Sequence, residues 1–488
     1  RTVSAQEAEE LEKKLSEKKA TIKCEEDLVG MIWEDRPDLS AEPVKELSVK
    51  WCGKSRADKC REIREEMAKK GADAFILTTL DDIAWLLNIR GGDVPCNPVV
   101  LSYLAMTQEK IILFANETVF PSDVKDALVS GGVELRPYDD VYEYASSIPS
   151  KSSVLLCKAK ANSRLVASLA KEVKLIDEEN LTLLPKAVKN PTEVENERIA
   201  HIKDGVAVTK FIYWLKKNVG TSEITEYSAA QKSEAFRRED EDCLDLSFET
   251  ICAYGPNAAM CHYAPTKDEC AKVEPKGFFL IDSGGQYWQG TTDITRTIAV
   301  GELTQEQKEH FTLVLQGHIR LAMAKFQYGC SGANLDAIVR GPLWERGLDF
   351  NHGTGHGVGY LLNVHEGPQN INWRLNNKGR RGNTVPLEEG MLTSNEPGLY
   401  LEGKYGIRTE NLMLCKKAEK NGYGQFMKFE TVTWVPYERE AILPEMLTKA
   451  ELDWLNAYHK QVYDKIGPLL GEEERTWLLE ATAEIKGK

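Results

Sequence analysis

The chain has 488 residues, 42% of them hydrophobic and 28% charged, with a formal net charge of −14. Such a length predicts two to four domains rather than one core, and the ordinary composition argues against a disordered or fibrous chain. The acidic balance argues against a nucleic-acid binder, which needs a surplus of Lys and Arg, and with no apolar run of eighteen residues no membrane span is predicted.

The first residue is Arg1, and Glu7 to Lys19 follow as a charged helical pattern with no visible structural partner. A natural chain that begins upstream is therefore expected, with any upstream signal left open. Residues 1–50 are read as the remnant of a truncated N-terminal domain plus a linker. The eleven cysteines are odd in number, and none forms a C-x-x-C pair. That usage fits a reducing compartment, so a cytoplasmic location is expected.

A globular pattern starts near Trp51. Ser55 to Lys70 has helical periodicity, with Gly71 placed to cap its C-terminus. Ala74 to Thr78 reads as a buried strand and Asp81 to Leu87 as a helix. Pro98 to Ala105, Lys110 to Phe114, Val133 to Arg136 and Ser153 to Leu156 read as further strands. The alternation predicts an α/β domain over 51–185.

Leu183-Leu-Pro185 closes that domain. Asn190 or Thr192 can cap the long helix Glu193 to Lys217, and Ile224 to Arg237 is a second helix. From Phe248 onward apolar strands alternate with Gly-rich turns. Asn370 to Asn383 reads as a surface loop, and Leu447 to Leu479 as a helical tail with Trp454, Leu455, Tyr458, Val462 and Ile466 on one face.

The unusual chemistry lies between these helices. Phe278 to Asp282 is an apolar strand ending in a carboxylate before Gly284-Gly285, and Asp293 follows eleven residues later. Two acids on hairpin-linked strands can share a pocket, although lone Asp residues at turns are commonly turn formers. His352, His356 and His365 put three of the eight histidines within fourteen residues, among glycines that let backbone approach a ligand. Glu396 precedes Pro397-Gly398, and Arg408-Thr-Glu410-Asn411 leads into an apolar strand. Each acid alone is weak evidence. Together Asp282, Asp293, His356, Glu396 and Glu410 form an oxygen-rich set with one nitrogen, which suits a pair of divalent ions.

The order Asp, Asp, His, Glu, Glu resembles the pita-bread metallopeptidases. His352-Gly-Thr-Gly-His-Gly-Val-Gly359 with Asn363-Val-His-Glu-Gly-Pro368 most resembles the large aminopeptidase P (Xaa-Pro aminopeptidase) enzymes among them. Leu80 to Gly91 resembles their middle domain. The resemblance implies a creatinase-like α/β middle domain over 51–185 and an α+β pita-bread, creatinase/aminopeptidase-like catalytic domain over 186–488, with a C-terminal helical extension. It implies two metal ions, manganese first with zinc or cobalt as alternatives, held by Asp282, Asp293, His356, Glu396 and Glu410. It makes Glu396 the general base and His262 a substrate contact. His365 would stabilise the reacting oxygen, His352 would shape the proline side, and Arg408 would fix a ligand carboxylate. The implied substrates are small peptides with proline second, and a homodimer is expected. A prolidase acting on Xaa-Pro dipeptides, or a non-catalytic binding module of the same fold, is the alternative.

Overall fold

The computed structural model describes residues 3–22, 28–37, 40–375 and 384–487. The chain divides into two compact units, Arg1–Lys186 and Ala187–Lys488.

In the first unit, helix α1 (Ala5–Ser16) starts at a capping box between Ser4 and Glu7. Its charged pattern gave no hint of a partner, yet it has one. The Ala5 amide donates to the Ala161 carbonyl at 2.8 Å, and Lys158 reaches Glu9 at 2.6 Å. Helix α2 (Arg56–Lys70) runs from its Ser55 cap to Gly71 at φ 65°, as its periodicity predicted.

Six strands follow: β1 (Ala74–Leu77), β2 (Ser102–Met106), β3 (Ile111–Ala115), β4 (Val133–Pro137), β5 (Ser153–Leu156) and β6 (Lys174–Asp177). They form one mixed sheet in the order β4-β3-β2-β1-β5-β6. β2 starts at Ser102 rather than at Pro98. Proline has no N–H to give a ladder, and the backbone after it is held locally, with the Leu101 amide donating to Asp93 Oδ2 at 2.6 Å.

The second unit opens with helix α3 (Pro191–Asn218), capped by Asn190 with Glu193 bonding back in a capping box. Asn190 takes the cap rather than Thr192 because Pro191 then falls at the first helical position, where its missing N–H costs nothing. Helix α4 (Glu226–Arg237) follows from a Thr225 cap. Strands β7 (Ile251–Tyr254), β8 (Phe278–Ser283) and β9 (Ile294–Ala299) make an antiparallel sheet with β8 in the middle. Helix α5 (Gln305–Ala322), strand β10 (Lys325–Gln327) and helix α6 (Gly332–Trp344) lead to the remaining strands. These are β11 (Gly355–Gly357), β12 (Glu366–Ile371), β13 (Leu392–Asn395), β14 (Gly398–Leu401), β15 (Tyr405–Arg408), β16 (Asn411–Asn421) and β17 (Gly424–Thr431).

β14 and β15 form a hairpin, and the others join β10 in an antiparallel sheet ordered β10-β17-β16-β13-β11-β12. β12 takes in Asn370 and Ile371 from the stretch read as a surface loop, and 376–383 lie outside the described residues.

The tail is two helices, α7 (Lys449–Ile466) and α8 (Glu472–Ala481), where the periodicity suggested one. Pro468 interrupts them, because a proline inside a helix removes a hydrogen bond and clashes with the preceding turn. Leu455, Tyr458, Val462 and Ile466 pack with Phe311, Leu315 and Ile319 of α5 in one buried cluster. That apolar face is covered by its own unit. Among the described residues no helix is long and apolar enough to cross a membrane.

Candidate active site

The end of β8 and the start of β9 place the first two acids. Their antiparallel register sets Asp282 opposite Thr295, two residues after Asp293. Glu410 docks on the same strand twice. Its amide donates to the Thr295 carbonyl at 3.1 Å, and the Thr295 hydroxyl donates to Glu410 Oε2 at 2.8 Å. The second pair comes from the larger sheet. The Glu396 amide donates to the Thr354 carbonyl at 2.8 Å, and the His356 amide to Ser394 Oγ at 2.9 Å.

These anchors bring the donor atoms together. His356 Nε2 lies 3.3 Å from Glu396 Oε1 and 3.5 Å from Asp293 Oδ2. One donor atom each from Asp293, His356 and Glu410 falls within 4.8 Å of the others. His356 Nδ1 sits 2.9 Å from the Gly357 carbonyl. A carbonyl only accepts, so Nδ1 holds a proton and Nε2 is the ring nitrogen that faces the carboxylates.

The electrostatics of this cluster are unfavourable for the protein alone. Burial, then repulsion from Asp282 and Glu396, raises the Asp293 carboxyl well above its usual range. Burial, then Asp293, Glu396 and Asp282, does the same to Glu410, and burial raises Glu396. Asp282 Oδ1 and Glu410 Oε1 are buried without a hydrogen-bond partner. Crowded carboxylates, two orphaned oxygens and an imidazole nitrogen turned toward them are the complement of divalent cations. The residues fit such ions.

A second chain of contacts runs out from Asp282. Arg408 donates to Asp282 Oδ2 at 2.6 Å, to the Tyr400 hydroxyl at 2.7 Å and to the Cys261 carbonyl at 3.4 Å. Tyr400 in turn lies 2.9 Å from His352 Nε2, while His352 Nδ1 faces the Gly353 carbonyl at 2.8 Å. Tyr400 therefore accepts from Arg408 and donates to His352. Burial, then the nearby Arg408 charge, lowers the His352 pKa to about 3, so this imidazole is neutral in ordinary buffers. His262 is exposed and near enough for its charge to oppose one on His352. His365 is exposed too, with its ring centroid 4.2 Å from that of His356.

Asp282 thus meets Arg408; Asp293, His356, Glu396 and Glu410 converge, with His365 against His356; His352 joins only through Tyr400, and His262 only through its charge. Tyr400, Thr295 and Ser394 were not singled out in the sequence. Tyr400 shares a strand face with Gly398, two residues before it, and that alternation was the available signal.

The comparisons with known proteins agree with this architecture. Models of the creatinase/prolidase N-terminal domain, of metallopeptidase family M24 and of the C-terminal region of peptidase M24 match residues 35–193, 195–417 and 425–485. A probable Xaa-Pro aminopeptidase P of Laccaria bicolor is 40% identical over 98% of this chain and 75% of its own. Xaa-Pro aminopeptidase 1 of Dictyostelium discoideum is 40% identical over 93% of this chain and 74% of its own.

Among solved structures, the X-prolyl aminopeptidase of Caenorhabditis elegans, a cytosolic enzyme with a dinuclear active site, is 35% identical with a TM-score of 0.93. The match covers 99% of this chain and 79% of that one. An Xaa-Pro dipeptidase of Bacillus anthracis shares the fold at 21% identity and a TM-score of 0.62, over 80% of this chain and all of its own. The second unit has the pita-bread metallopeptidase fold and follows a creatinase-type α/β domain in the sequence. The chain belongs to metallopeptidase family M24, in its aminopeptidase P branch.

Proposed function

We propose that this enzyme hydrolyses the bond between the first residue of a peptide and a proline in second place. The observation that carries the proposal is the convergence of Asp293, His356 and Glu410 donor atoms within 4.8 Å, with Glu396 against His356. In this reading Asp282, Asp293, His356, Glu396 and Glu410 hold two divalent ions, manganese first and zinc or cobalt as alternatives. When bound, such ions supply Lewis acidity, polarising a carbonyl and lowering the pKa of water.

The chain's own residues do the rest. Glu396, whose carboxyl is raised by burial, receives the attacking water's proton and passes it toward the leaving nitrogen. His365, at the exposed rim beside His356, donates to the carbonyl oxygen as negative charge develops there. His262 contacts the substrate near the scissile bond. His352, neutral and tied to Tyr400, forms a fixed wall on the proline side. Arg408 keeps the Asp282 carboxylate turned inward by a 2.6 Å hydrogen bond. Proline suits such a wall because its ring fills space and its nitrogen carries no N–H that a site would otherwise need to satisfy.

Residues 51–185 are proposed as the middle domain and 186–488 as the catalytic domain. A homodimer in the cytoplasm is the proposed working form, and the odd cysteine count supports that compartment. The deciding assay gives the manganese-loaded enzyme an Xaa-Pro-Pro tripeptide and an Xaa-Pro dipeptide. Release of the first residue from the tripeptide is expected. Cleavage confined to the dipeptide would make the enzyme a prolidase, and cleavage of neither would end the peptidase reading.

A further inference from the structure

His262, an exposed group of the proposed site, is carried by a long loop, and that loop is tied down at both ends by one side chain. The chain leaves β7 at Tyr254 and returns at Ala271. Both ends meet the side chain of Glu226, the first residue of α4, which is 0% exposed.

Its Oε1 accepts the Tyr254 amide at 2.6 Å and Asn257 Nδ2 at 3.1 Å. Its Oε2 accepts the Ala271 amide at 2.6 Å, the Tyr263 hydroxyl at 2.7 Å and Asn257 Nδ2 at 3.1 Å. The Glu226 amide completes the closure by donating to the Ala271 carbonyl at 3.0 Å. One carboxyl group therefore joins the start, the apex and the end of the loop.

The two neighbours of His262 are pinned from different sides. Tyr263 is held by Glu226, and the Cys261 carbonyl accepts from Arg408, the residue that also holds Asp282. The loop's first turn is seated directly on β15. A Cβ placed on Gly406 would lie 1.7 Å from the Ala258 carbonyl oxygen. The backbone on either side of His262 is thus located relative to the acid cluster, while the imidazole itself stays exposed.

We propose that Glu226 is a positioning residue for the substrate side of the reaction. It holds the 254–271 loop closed on itself so that His262 stands ready at a fixed place before the peptide arrives. The role rests on the reading of His262 as a substrate contact. Holding the loop ordered in advance spares substrate binding the entropy of ordering it. Loosening it weakens ground-state binding more than it slows the chemical step.

The test uses the full chain loaded with manganese. Tyr263→Phe removes one hydroxyl and keeps the ring, and Glu226→Gln turns an NH₂ donor toward groups that are themselves donors. Kinetics on an Xaa-Pro-Pro tripeptide are read together with amide hydrogen exchange over 254–271, in the wild-type and His262→Ala backgrounds. Loss of one such hydrogen bond is expected to raise KM roughly fivefold with kcat changed less than twofold. Metal content should be unchanged and exchange of the loop faster.

Glu226→Gln should move KM further in the same direction. In the His262→Ala background, Tyr263→Phe should add less than a twofold effect, because the group it positions is gone. An equal penalty in both backgrounds, or faster exchange with KM unmoved, would overturn the proposal. Should Glu226→Gln not fold, Tyr263→Phe decides alone. A wild-type enzyme inactive on every peptide would sink the peptidase reading instead, and unchanged loop protection in Tyr263→Phe would then sink this one.

Discussion

Arg408 holds four groups with one guanidinium: the Asp282 carboxylate, the Tyr400 and Thr295 hydroxyls and the Cys261 carbonyl. Lysine carries the same charge but a single ammonium, and it cannot reach three directions in one plane. Arg408→Lys is therefore expected to lower kcat/KM by roughly 10- to 100-fold and to weaken metal binding to a similar degree, read by peptide hydrolysis and metal titration. Asp293→Asn should do more. It removes a buried carboxylate whose donor atom lies with those of His356 and Glu410, so loss of an ion and of essentially all activity is expected, with metal content as the direct measurement.

Two buried imidazoles outside the acid cluster give a pH prediction. Burial, then Arg296, lowers His318 to about 3, and burial, then Arg439, lowers His459 to about 3. Above about pH 6.5 each is neutral in both the folded and the unfolded chain and contributes nothing. Below that the unfolded chain takes up protons that the folded one refuses. Stability should fall by roughly 1.4 kcal/mol per pH unit for each histidine, checked by urea midpoints at pH 7 and pH 5.

At this scale His352, His356 and Glu396 were legible because each sits beside Gly or Pro, while Asp282, Asp293 and Glu410 drew notice only as acids at the ends of apolar or polar strand-like stretches. Glu226 and Tyr400 were not legible. A glutamate opening a helix reads as a cap and a tyrosine in a strand reads as core, and only the folded loop shows what they hold.

The strands position the site through close backbone approach. A Cβ at Gly355 would lie 2.0 Å from the Ser394 carbonyl oxygen, so β11 can sit against the end of β13 because it is bare there. Gly355→Ala is expected to push β11 away and to break the bond from the His356 amide to Ser394. A loss of about 2–4 kcal/mol in stability, with a larger loss of activity than folding alone explains, is the outcome to look for by thermal melts and kinetics.

Most element types could be read from periodicity, and α2 even to its glycine cap. The misses have local causes. A proline delayed β2, another divided α7 from α8, and α1 gains its place from polar contacts that no hydrophobic pattern announces. What periodicity could not supply is which strands become neighbours. That choice sets Asp282 opposite Thr295, whose hydroxyl donates to Glu410, and so brings to one strand two acids separated by more than a hundred residues of chain.

Across the whole molecule, ions and protons compete for the same carboxylates. Raised folded values for Asp293 and Glu410 mean that the metal-free chain draws stability from protonation below the unfolded carboxyl range. It loses that stability as pH rises through the folded values. Bound cations remove the penalty and displace the protons. The gain in Tm on adding manganese to chelated enzyme should therefore grow from pH 5 to pH 8, a trend that calorimetry can follow. A gain independent of pH would mean that these acids do not receive the ions.

Arg296, 3% exposed, donates to the Glu410 carbonyl at 2.6 Å and also to the Val435 carbonyl at 2.9 Å and the Tyr458 hydroxyl at 3.2 Å. Reagents that trim the protein from its C-terminal end, whether a protease or a stop codon before Tyr458, would unfasten the turn that carries Glu410 while leaving all five acid-cluster residues in the polypeptide. The stretch from Tyr458 onward belongs to this enzyme's chemistry as much as the loops that face the peptide.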